Sequence, residues 1–198
     1  MSSEVNPVIV LASTSIYRQE LLKRICPNVQ VESPIADETP LDHESAIACA
    51  ERLSIAKARS IAKLKEERHI IIGSDQVAEC DGRWLSKPGT LANAVSQLQH
   101  ASGKTALFHT GLCVWDTSTN SYDSEVISTE VRFRKLESSE IERYIALEDV
   151  LGCAGSAKSE GLGITLLDSI LGPDPTALVG LPLITLSRML RLCGVRLP

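Results

Sequence analysis

The stretch His69-Ile-Ile-Ile-Gly-Ser-Asp75 joins an uninterrupted apolar run to a carboxylate. A short continuous run of apolar residues is typical of a strand that is buried on both faces of a sheet. Asp75 is then expected just past the carboxyl end of this strand, where open α/β sheets bind their ligands. The stretch therefore predicts both a central buried strand and the first candidate functional residue.

Upstream of this strand the chain predicts a strand–helix–strand unit. Val8–Ala12 is another continuous apolar run and indicates a buried strand. The three hydroxyl residues Ser13, Thr14 and Ser15 are good helix N-caps, and Pro27 stops the helix that follows. Residues 29–33 are predicted to form a short second strand.

A long helix is predicted over residues 44–66. Ala46, Ala50 and Leu53 fall on one apolar row by their spacing, and Lys57 continues that row. A lysine on a core-facing row either extends its ammonium to the surface or points it into a site.

The remainder of the chain mixes strands and helices. Asp81-Gly82 predicts a hairpin turn, Thr90 a helix N-cap, and Ser139 with Glu142 a capping box. The predicted segments are a helix to residue 101, strands at 105–116 and 122–134, a helix to 147, a loop at 152–163, a strand at 164–167, and a helix at 176–193 ended by Gly194. The fold class is therefore α/β, or α+β, with a mixed twisted sheet flanked by helices.

Length and composition favour one domain over residues 1–198, with 43% hydrophobic residues and a net charge of -5. This charge argues against a long nucleic acid as partner. The start of the chain lacks a positive segment, and Val8–Ala12 is too short for a signal or membrane span. Six scattered cysteines are typical of a reducing compartment, so we expect a cytoplasmic protein with no membrane partner.

The hydroxyl cluster Ser13, Thr14 and Ser15 is a candidate phosphate site. It joins a buried strand to a helix N-terminus, where backbone N–H groups and the helix dipole favour anions. Arg18 lies one turn further and could fork onto phosphate oxygens. The alternative is ordinary helix capping with a surface arginine.

Asp75 and Glu38 are candidate metal ligands, because paired carboxylates suit magnesium or manganese. The alternatives are that Asp75 caps a turn and that Glu38 is one exposed acid of an acidic loop. Lys87 precedes Pro88 on a stiff turn. Together Arg18, Lys57 and Lys87 could neutralise a polyphosphate, whereas any one alone is more often a solvated charge.

An ordered set of motifs resembles the Maf family of nucleotide pyrophosphatases over nearly the whole chain. These motifs are Leu11-Ala-Ser-Thr-Ser-x-x-Arg18, Asp37-Glu38, Gly73-Ser-Asp-Gln76, Lys87-Pro88 and Gly180-Leu-Pro182. The resemblance implies two lobes around a central cleft, as in inosine triphosphatases. It also implies a divalent metal, Mg²⁺ or Mn²⁺, and a homodimer.

Two further stretches resemble the family branch that acts on 7-methyl-GTP. They are Gly73-Ser-Asp-Gln-Val77 and Cys153-Ala-Gly-Ser-x-Lys-Ser-Glu-Gly161. The resemblance makes Asp75 the proton acceptor and places Tyr17, Gln76 and Glu160 at specificity positions. Tyr17 departs from the tryptophan expected in this branch, although it keeps an aromatic face. Because N7-methylation makes guanine cationic, an aromatic face and a carboxylate could favour it.

The expected reaction is metal-assisted hydrolysis of a small nucleoside triphosphate to a monophosphate and pyrophosphate. Ser13, Arg18, Lys57 and Lys87 would grip the triphosphate while Asp75 accepts a proton from water. Two alternatives remain at this point. One is a Maf enzyme for dTTP, UTP or damaged nucleotides, and the other is a nucleotide-binding regulator of cell division with little catalysis.

Overall fold

The computed structural model describes residues 7–197, and the fold is built around a mixed sheet. The segment before Pro7, on which part of the signal-peptide expectation depended, lies outside the described residues. The strands are β1 (Val8–Ala12), β2 (Gln30–Glu32), β3 (His69–Cys80), β4 (Arg83–Trp84), β5 (Thr105–Asp116), β6 (Ser121–Phe133) and β7 (Leu167–Leu171). The helices are α1 (Ile16–Lys23), α2 (Ala46–Ala62), α3 (Leu91–Ala101), α4 (Ser138–Leu147) and α5 (Leu183–Leu192).

Within residues 7–197 the sheet has seven strands in the order β2-β1-β3-β5-β6-β7, with β4 paired to β3. β1 runs parallel to both β2 and β3, whereas the pairs β3–β4 and β6–β7 are antiparallel. The mixed α/β class predicted from the sequence is therefore confirmed. None of the helices in this part of the chain is both long and apolar enough to cross a membrane.

The chain folds as two compact units. The first contains the described residues up to Asp75, together with Thr110–Ile127 and the segment from Asp174 onward. The second contains Gln76–His109 and Ser128–Pro173. The single domain expected over residues 1–198 stays a prediction.

The core of the first unit explains the apolar runs. Ile70 and Ile72 pack in one buried cluster with Leu11, whereas Ile71, between them, belongs to a second cluster with Val10. Alternate side chains of a strand point to opposite faces, so the sheet is buried on both sides here. This is why the run shows no polar alternation.

Helix α2 lies so close to the sheet that their backbones touch. A Cβ atom on Gly73 would lie 2.2 Å from the Ser54 carbonyl oxygen, and one on Gly111 would lie 2.1 Å from that of Ala50. Only a hydrogen atom fits at either place. The two glycines therefore fix the height of α2 above strands β3 and β5.

Asp75 lies inside β3, so the expectation that it follows the end of the strand is wrong. The hairpin expected at Asp81-Gly82 does form, with φ values of 50° and 71°. Its return strand pairs Glu79 with Trp84. This pairing extends β3 beyond Asp75 as far as Cys80.

The expected final helix begins late, because Thr176 serves a turn rather than a helix. Its N–H and hydroxyl both donate to Asp174 Oδ1, at 2.9 and 2.7 Å, and its hydroxyl oxygen accepts from Leu183 N at 2.8 Å. Asp174 Oδ2 also accepts from Ile184 N at 2.7 Å. The helix therefore starts only at Leu183.

Two other local expectations are also wrong. The N-cap of α4 is Glu137 and carries no side-chain cap bond, so the capping box expected from Ser139 and Glu142 does not form. Residues expected in a strand at 164–167 instead belong to a 3₁₀ turn, Leu162–Leu166, and β7 begins at Leu167. The Arg134 amide donates to the Leu166 carbonyl oxygen at 2.9 Å, which holds the end of this turn.

Candidate active site

The turn between β1 and α1 is built from the hydroxyl cluster. Ser13 is buried, and its Oγ accepts from the Ser15 amide at 3.1 Å. Ser15 is the N-cap of α1, and its Oγ accepts from the Arg18 amide at 3.5 Å. Thr14 is exposed between them. Ser15 thus caps the helix, as the simpler alternative had it, while the turn presents the hydroxyl groups beside the helix N-terminus.

Arg18 is half-buried and fixed by a backbone carbonyl. Its Nε donates to the Gly180 oxygen at 2.8 Å, and the Ser74 hydroxyl lies 2.9 Å from the same oxygen. Gly180 has a φ of 111°, which favours glycine, and a Cβ there would lie 3.3 Å from Arg18 Nε. The Gly180-Leu-Pro182 motif therefore holds the guanidinium in place.

Burial lowers the pKa of Arg18, and the negative charges of Asp75 and Glu38 partly offset that effect. An arginine remains protonated in proteins despite such a shift. Arg18 therefore adds a positive charge that interacts electrostatically with both carboxylates.

The centre of the candidate site is the ammonium of Lys57. Its Nζ lies 2.5 Å from Asp75 Oδ1 and 2.6 Å from Glu38 Oε1. Lys57 and Asp75 are buried, with 6% and 9% of their surfaces exposed, whereas the Glu38 side chain is 58% exposed. The predicted row on α2 thus turns Lys57 inward, and the three charged side chains meet.

This cluster can be tested for its fit to a metal. Within residues 7–197 no group of three or more His, Cys, Asp or Glu side chains is placed to hold an ion. Magnesium, however, is commonly held by one or two carboxylates together with substrate phosphates. Glu38 and Asp75 supply hard oxygen ligands of that kind, so the pair fits Mg²⁺ or Mn²⁺ bound with a phosphorylated ligand.

In the second unit, the Lys87 side chain is exposed, but the residues directly before and after it are both hydrogen-bonded to α3. The Ser86 carbonyl oxygen accepts from Gln97 Nε2 and the Pro88 oxygen from Asn93 Nδ2, each at 2.9 Å. Both donors belong to α3. The backbone that carries Lys87 is thus fixed although its side chain reaches into solvent.

Of the three specificity candidates, Tyr17 is half-buried on α1 in the first unit, and Gln76 is half-buried on β3 in the second. Glu160 is exposed in the second unit, in the glycine-rich segment that the sequence predicted to be a loop. The neighbouring Lys158 donates to Glu148 Oε1 at 2.9 Å, and the Leu162 amide donates to Glu148 Oε2, also at 2.9 Å.

Glu148 and Tyr144 anchor that segment. The Leu162 amide and the Lys158 ammonium lower the pKa of Glu148. The Lys158 amide donates to the Tyr144 hydroxyl at 3.0 Å, and burial raises the pKa of Tyr144 to about 12. Around pH 7 the Glu148 carboxyl group is therefore ionised and the Tyr144 hydroxyl group is protonated, as these hydrogen bonds require.

Three supporting residues were not found by sequence reasoning. Ser74 has its hydroxyl 2.8 Å from the Gly111 oxygen and 2.9 Å from that of Gly180. Arg52 and Glu44 form an ion pair beside the loop that carries Glu38. Ser74 belongs to the motif Gly73-Ser-Asp-Gln76, so the sequence held a signal for it. Glu44 and Arg52 are eight residues apart, and no sequence pattern indicated that they would pair.

These groups define a site suited to a phosphorylated small molecule. They are the turn with Ser13, Thr14 and Ser15, the fixed Arg18, and Lys57 between its two carboxylates. A family model described as "Maf-like protein" matches residues 8–193. The chain therefore belongs to the Maf family.

Curated relatives cover nearly the whole chain. A protein of Aromatoleum aromaticum named 7-methyl-GTP pyrophosphatase is 52% identical over 96% of this chain and 97% of its own. Relatives with the same name are 51% identical in Burkholderia pseudomallei, over 95% and 88% of the two chains, and 47% in Hydrogenovibrio crunogenus, over 97% and 96%.

Two solved structures show a more distant likeness. The Ham1 protein of Staphylococcus aureus is 16% identical, with a TM-score of 0.42 over 64% of this chain and 72% of its own. A nucleoside-triphosphatase, dITP/XTP pyrophosphatase, of Mycobacterium abscessus is 17% identical, with a TM-score of 0.46 over 93% and 97%. Neither is similar enough to bear on the site.

Proposed function

We propose that this protein hydrolyses 7-methyl-GTP to 7-methyl-GMP and pyrophosphate, and so removes a modified nucleotide. The observation that carries the chemistry is the contact of Lys57 with both Asp75 and Glu38. The substrate follows from the three relatives described above, which carry that name and are 52%, 51% and 47% identical to this chain. The reaction class, hydrolysis of a nucleotide anhydride, is common to all three.

In the proposed reaction, Asp75 accepts a proton from a water molecule that attacks the α-phosphorus. The new bond joins the water oxygen to that phosphorus, and the bond from phosphorus to the bridging oxygen of the leaving pyrophosphate breaks. Lys57 donates to Oδ1 of Asp75 at 2.5 Å. This contact holds the Asp75 carboxylate in place for that role.

The remaining groups stabilise the triphosphate. We assign Ser13, Thr14, Ser15 and Arg18 to the phosphate groups, because the turn offers hydroxyls, a helix N-terminus and a fixed guanidinium together. Lys57 and Lys87 would also grip the triphosphate and offset charge as pyrophosphate leaves. Preorganised cations of this kind stabilise charge that develops in the transition state.

Glu38 and Asp75 would hold the divalent cation, Mg²⁺ or Mn²⁺. When bound, that cation would neutralise phosphate charge and orient the triphosphate. Without it, Lys57 balances one of the two carboxylate charges. Metal dependence is thus a part of the proposal that EDTA tests directly.

For base selection we propose Tyr17, Gln76 and Glu160. The methylated guanine ring carries a positive charge, which an aromatic face attracts by roughly 0.5–2 kcal/mol. Glu160 is exposed and negatively charged, so its carboxylate is available to a cationic base. Gln76, which the resemblance places at a specificity position, would hydrogen-bond to the base.

Location and assembly complete the proposal. All six cysteines are free thiols, which is typical of proteins in a reducing compartment and supports the cytoplasm. The homodimer implied by the family resemblance stays a prediction.

The decisive experiment measures pyrophosphate release from 7-methyl-GTP, GTP, dTTP, UTP and ITP, each with Mg²⁺ and with EDTA. We expect turnover that requires metal and prefers 7-methyl-GTP. Preference for another triphosphate would keep the reaction and reject the substrate. Binding of nucleotide without any pyrophosphate release would instead point to a nucleotide-binding regulator.

A further inference from the structure

The loop that carries Glu38 has no regular structure of its own. Residues 33–45 connect β2 to α2 without helix or strand. The Glu38 side chain is 58% exposed, so burial does not hold it. Its carboxylate nevertheless lies 2.6 Å from the Lys57 ammonium. The loop also contacts α2 directly, because the Ile35 amide donates to the Ser60 hydroxyl at 3.2 Å.

Arg52 supplies a further contact, nearer to Glu38. Its Nε and Nη2 donate to the two oxygens of Glu44, at 2.6 and 2.7 Å, and Nη2 also donates to the Thr39 carbonyl oxygen at 3.2 Å. Thr39 is the residue directly after Glu38. Glu44 Oε2 in turn accepts from the Leu41 amide at 3.1 Å. One planar guanidinium thus ties Thr39 to Glu44, and these contacts of Arg52 are called the Arg52 clamp below.

This arrangement is built to persist. The Glu44 side chain is only 7% exposed, and its hydrogen bond from Arg52 lowers its pKa from 4.5 to about 2. Arg52 and Lys57 both project from α2, whose height above the sheet is fixed by Gly73 and Gly111. A single rigid helix therefore supports the loop and also presents the ammonium that meets Glu38.

We propose that Arg52 is a positioning residue, which holds Glu38 against Lys57 so that the loop can receive the metal-bound triphosphate. It acts through the Thr39 carbonyl and the Glu44 carboxylate, and it is not assigned any contact with substrate. The inference rests on the function proposed above for Glu38. It adds a residue that neither the motifs nor the comparisons assign.

The first test replaces the Arg52 guanidinium by an ammonium and so keeps the positive charge. Arg52→Lys cannot make the bidentate contact, and we expect its KM and its half-saturating Mg²⁺ concentration to rise by about tenfold, as for loss of one hydrogen bond to a charged group. The turnover number at saturation should change less than about threefold, because no transition-state contact is lost. The control is Arg59→Lys, an exposed arginine of the same helix, which should match the wild type.

The second test asks whether Arg52 acts through Glu38. Glu38→Gln alone should raise the Mg²⁺ requirement, and adding Arg52→Lys to it should change that requirement by less than about twofold. If the increase in half-saturating Mg²⁺ concentration in the double variant equals the product of the increases in the two single variants, Arg52 acts independently of Glu38 and the proposal is overturned. Thermal melting of each variant establishes that the folded enzyme is being compared.

A third measurement needs no turnover. Hydrogen exchange of the 33–45 segment, followed by mass spectrometry without nucleotide, should be faster by about tenfold in Arg52→Lys and in Glu44→Gln. Arg59→Lys should leave it unchanged. Unchanged exchange in Arg52→Lys rejects the clamp, and faster exchange with an unaltered Mg²⁺ response rejects positioning. If the wild type releases no pyrophosphate, the proposed function fails while the exchange data still decide the clamp.

Discussion

Replacing Lys57 by methionine removes the ammonium that contacts both carboxylates of the candidate site. Methionine keeps most of the side-chain volume, so packing against the sheet changes little. The change leaves the carboxylate of Asp75, whose side chain is only 13% exposed, without the cation 2.5 Å away. The expected result is a large loss of stability that comes from charge and not from a cavity.

The size of the loss follows from the two contacts. Removing one partner of a buried ion pair costs about 3–5 kcal/mol when the remaining charge is left without compensation, and the nearby Arg18 charge places Asp75 towards the lower end of that range. The Glu38 contact is half exposed and adds no more than about 1 kcal/mol. Since domains of this size are stable by about 5–15 kcal/mol, the variant should still fold. We expect a melting temperature lower by roughly 6–24 °C.

The assay is urea unfolding in EDTA, followed by circular dichroism, with Lys63→Met as the matched control. Lys63 is exposed at the C-cap of the same helix, and its replacement should change the unfolding free energy by less than about 0.5 kcal/mol. In the double variant Lys57→Met with Asp75→Asn, part of the loss should be recovered, since the stranded charge is gone. A Lys57→Met loss below about 1 kcal/mol would refute a buried ion pair at this place.

Three further outcomes follow from the site. Asp75→Asn should lower the turnover number by about 10²–10⁴-fold, the usual contribution of a general base, in a pyrophosphate-release assay; near-normal turnover would remove Asp75 from that role. Glu160→Gln should reduce the preference for 7-methyl-GTP over GTP, measured as the ratio of their kcat/KM values, and an unchanged ratio would reject Glu160 as the specificity residue. Because the Arg52 hydrogen bond lowers the pKa of Glu44 from 4.5 to about 2, this pair contributes its full stability above pH 4.5 and loses it as the pH falls towards 2. Calorimetry of Glu44→Gln should therefore show a weaker decline across that range than the wild type, and identical curves would contradict the pair.

Local signals predicted most of the first unit's fold. The run at β1 gave its bounds correctly as Val8–Ala12, and the apolar row on α2 placed Lys57 on the buried side of the helix, where the structure selects the inward one of its two predicted orientations. These features depend on periodicity over neighbouring residues, which a single sequence displays in full. Thr90 likewise caps α3, where its side chain accepts from the Asn93 amide as a local N-cap does.

Features that depend on a tertiary contact, and not on a local sequence pattern, were not predicted. Thr176 looked like a helix N-cap, but Asp174 and Leu183 take its hydroxyl for a turn. The end of β3 depended on the return strand at Trp84. The Arg52 clamp joins residues that no helical or strand period brings together. In each case the same side chain could serve two local structures, and the tertiary partner determined which one formed.

The close approach of α2 to the sheet at Gly73 and Gly111 has a consequence for surveys of tolerated variation. A mutational scan scored by growth or turnover should rank both positions as intolerant as Asp75 and Glu38, since any Cβ atom would push the helix outward. Neither glycine offers a functional group to a ligand. A catalogue of essential positions drawn from such a scan would therefore mix a spacing requirement with chemistry, and replacement by alanine alone would not separate the two.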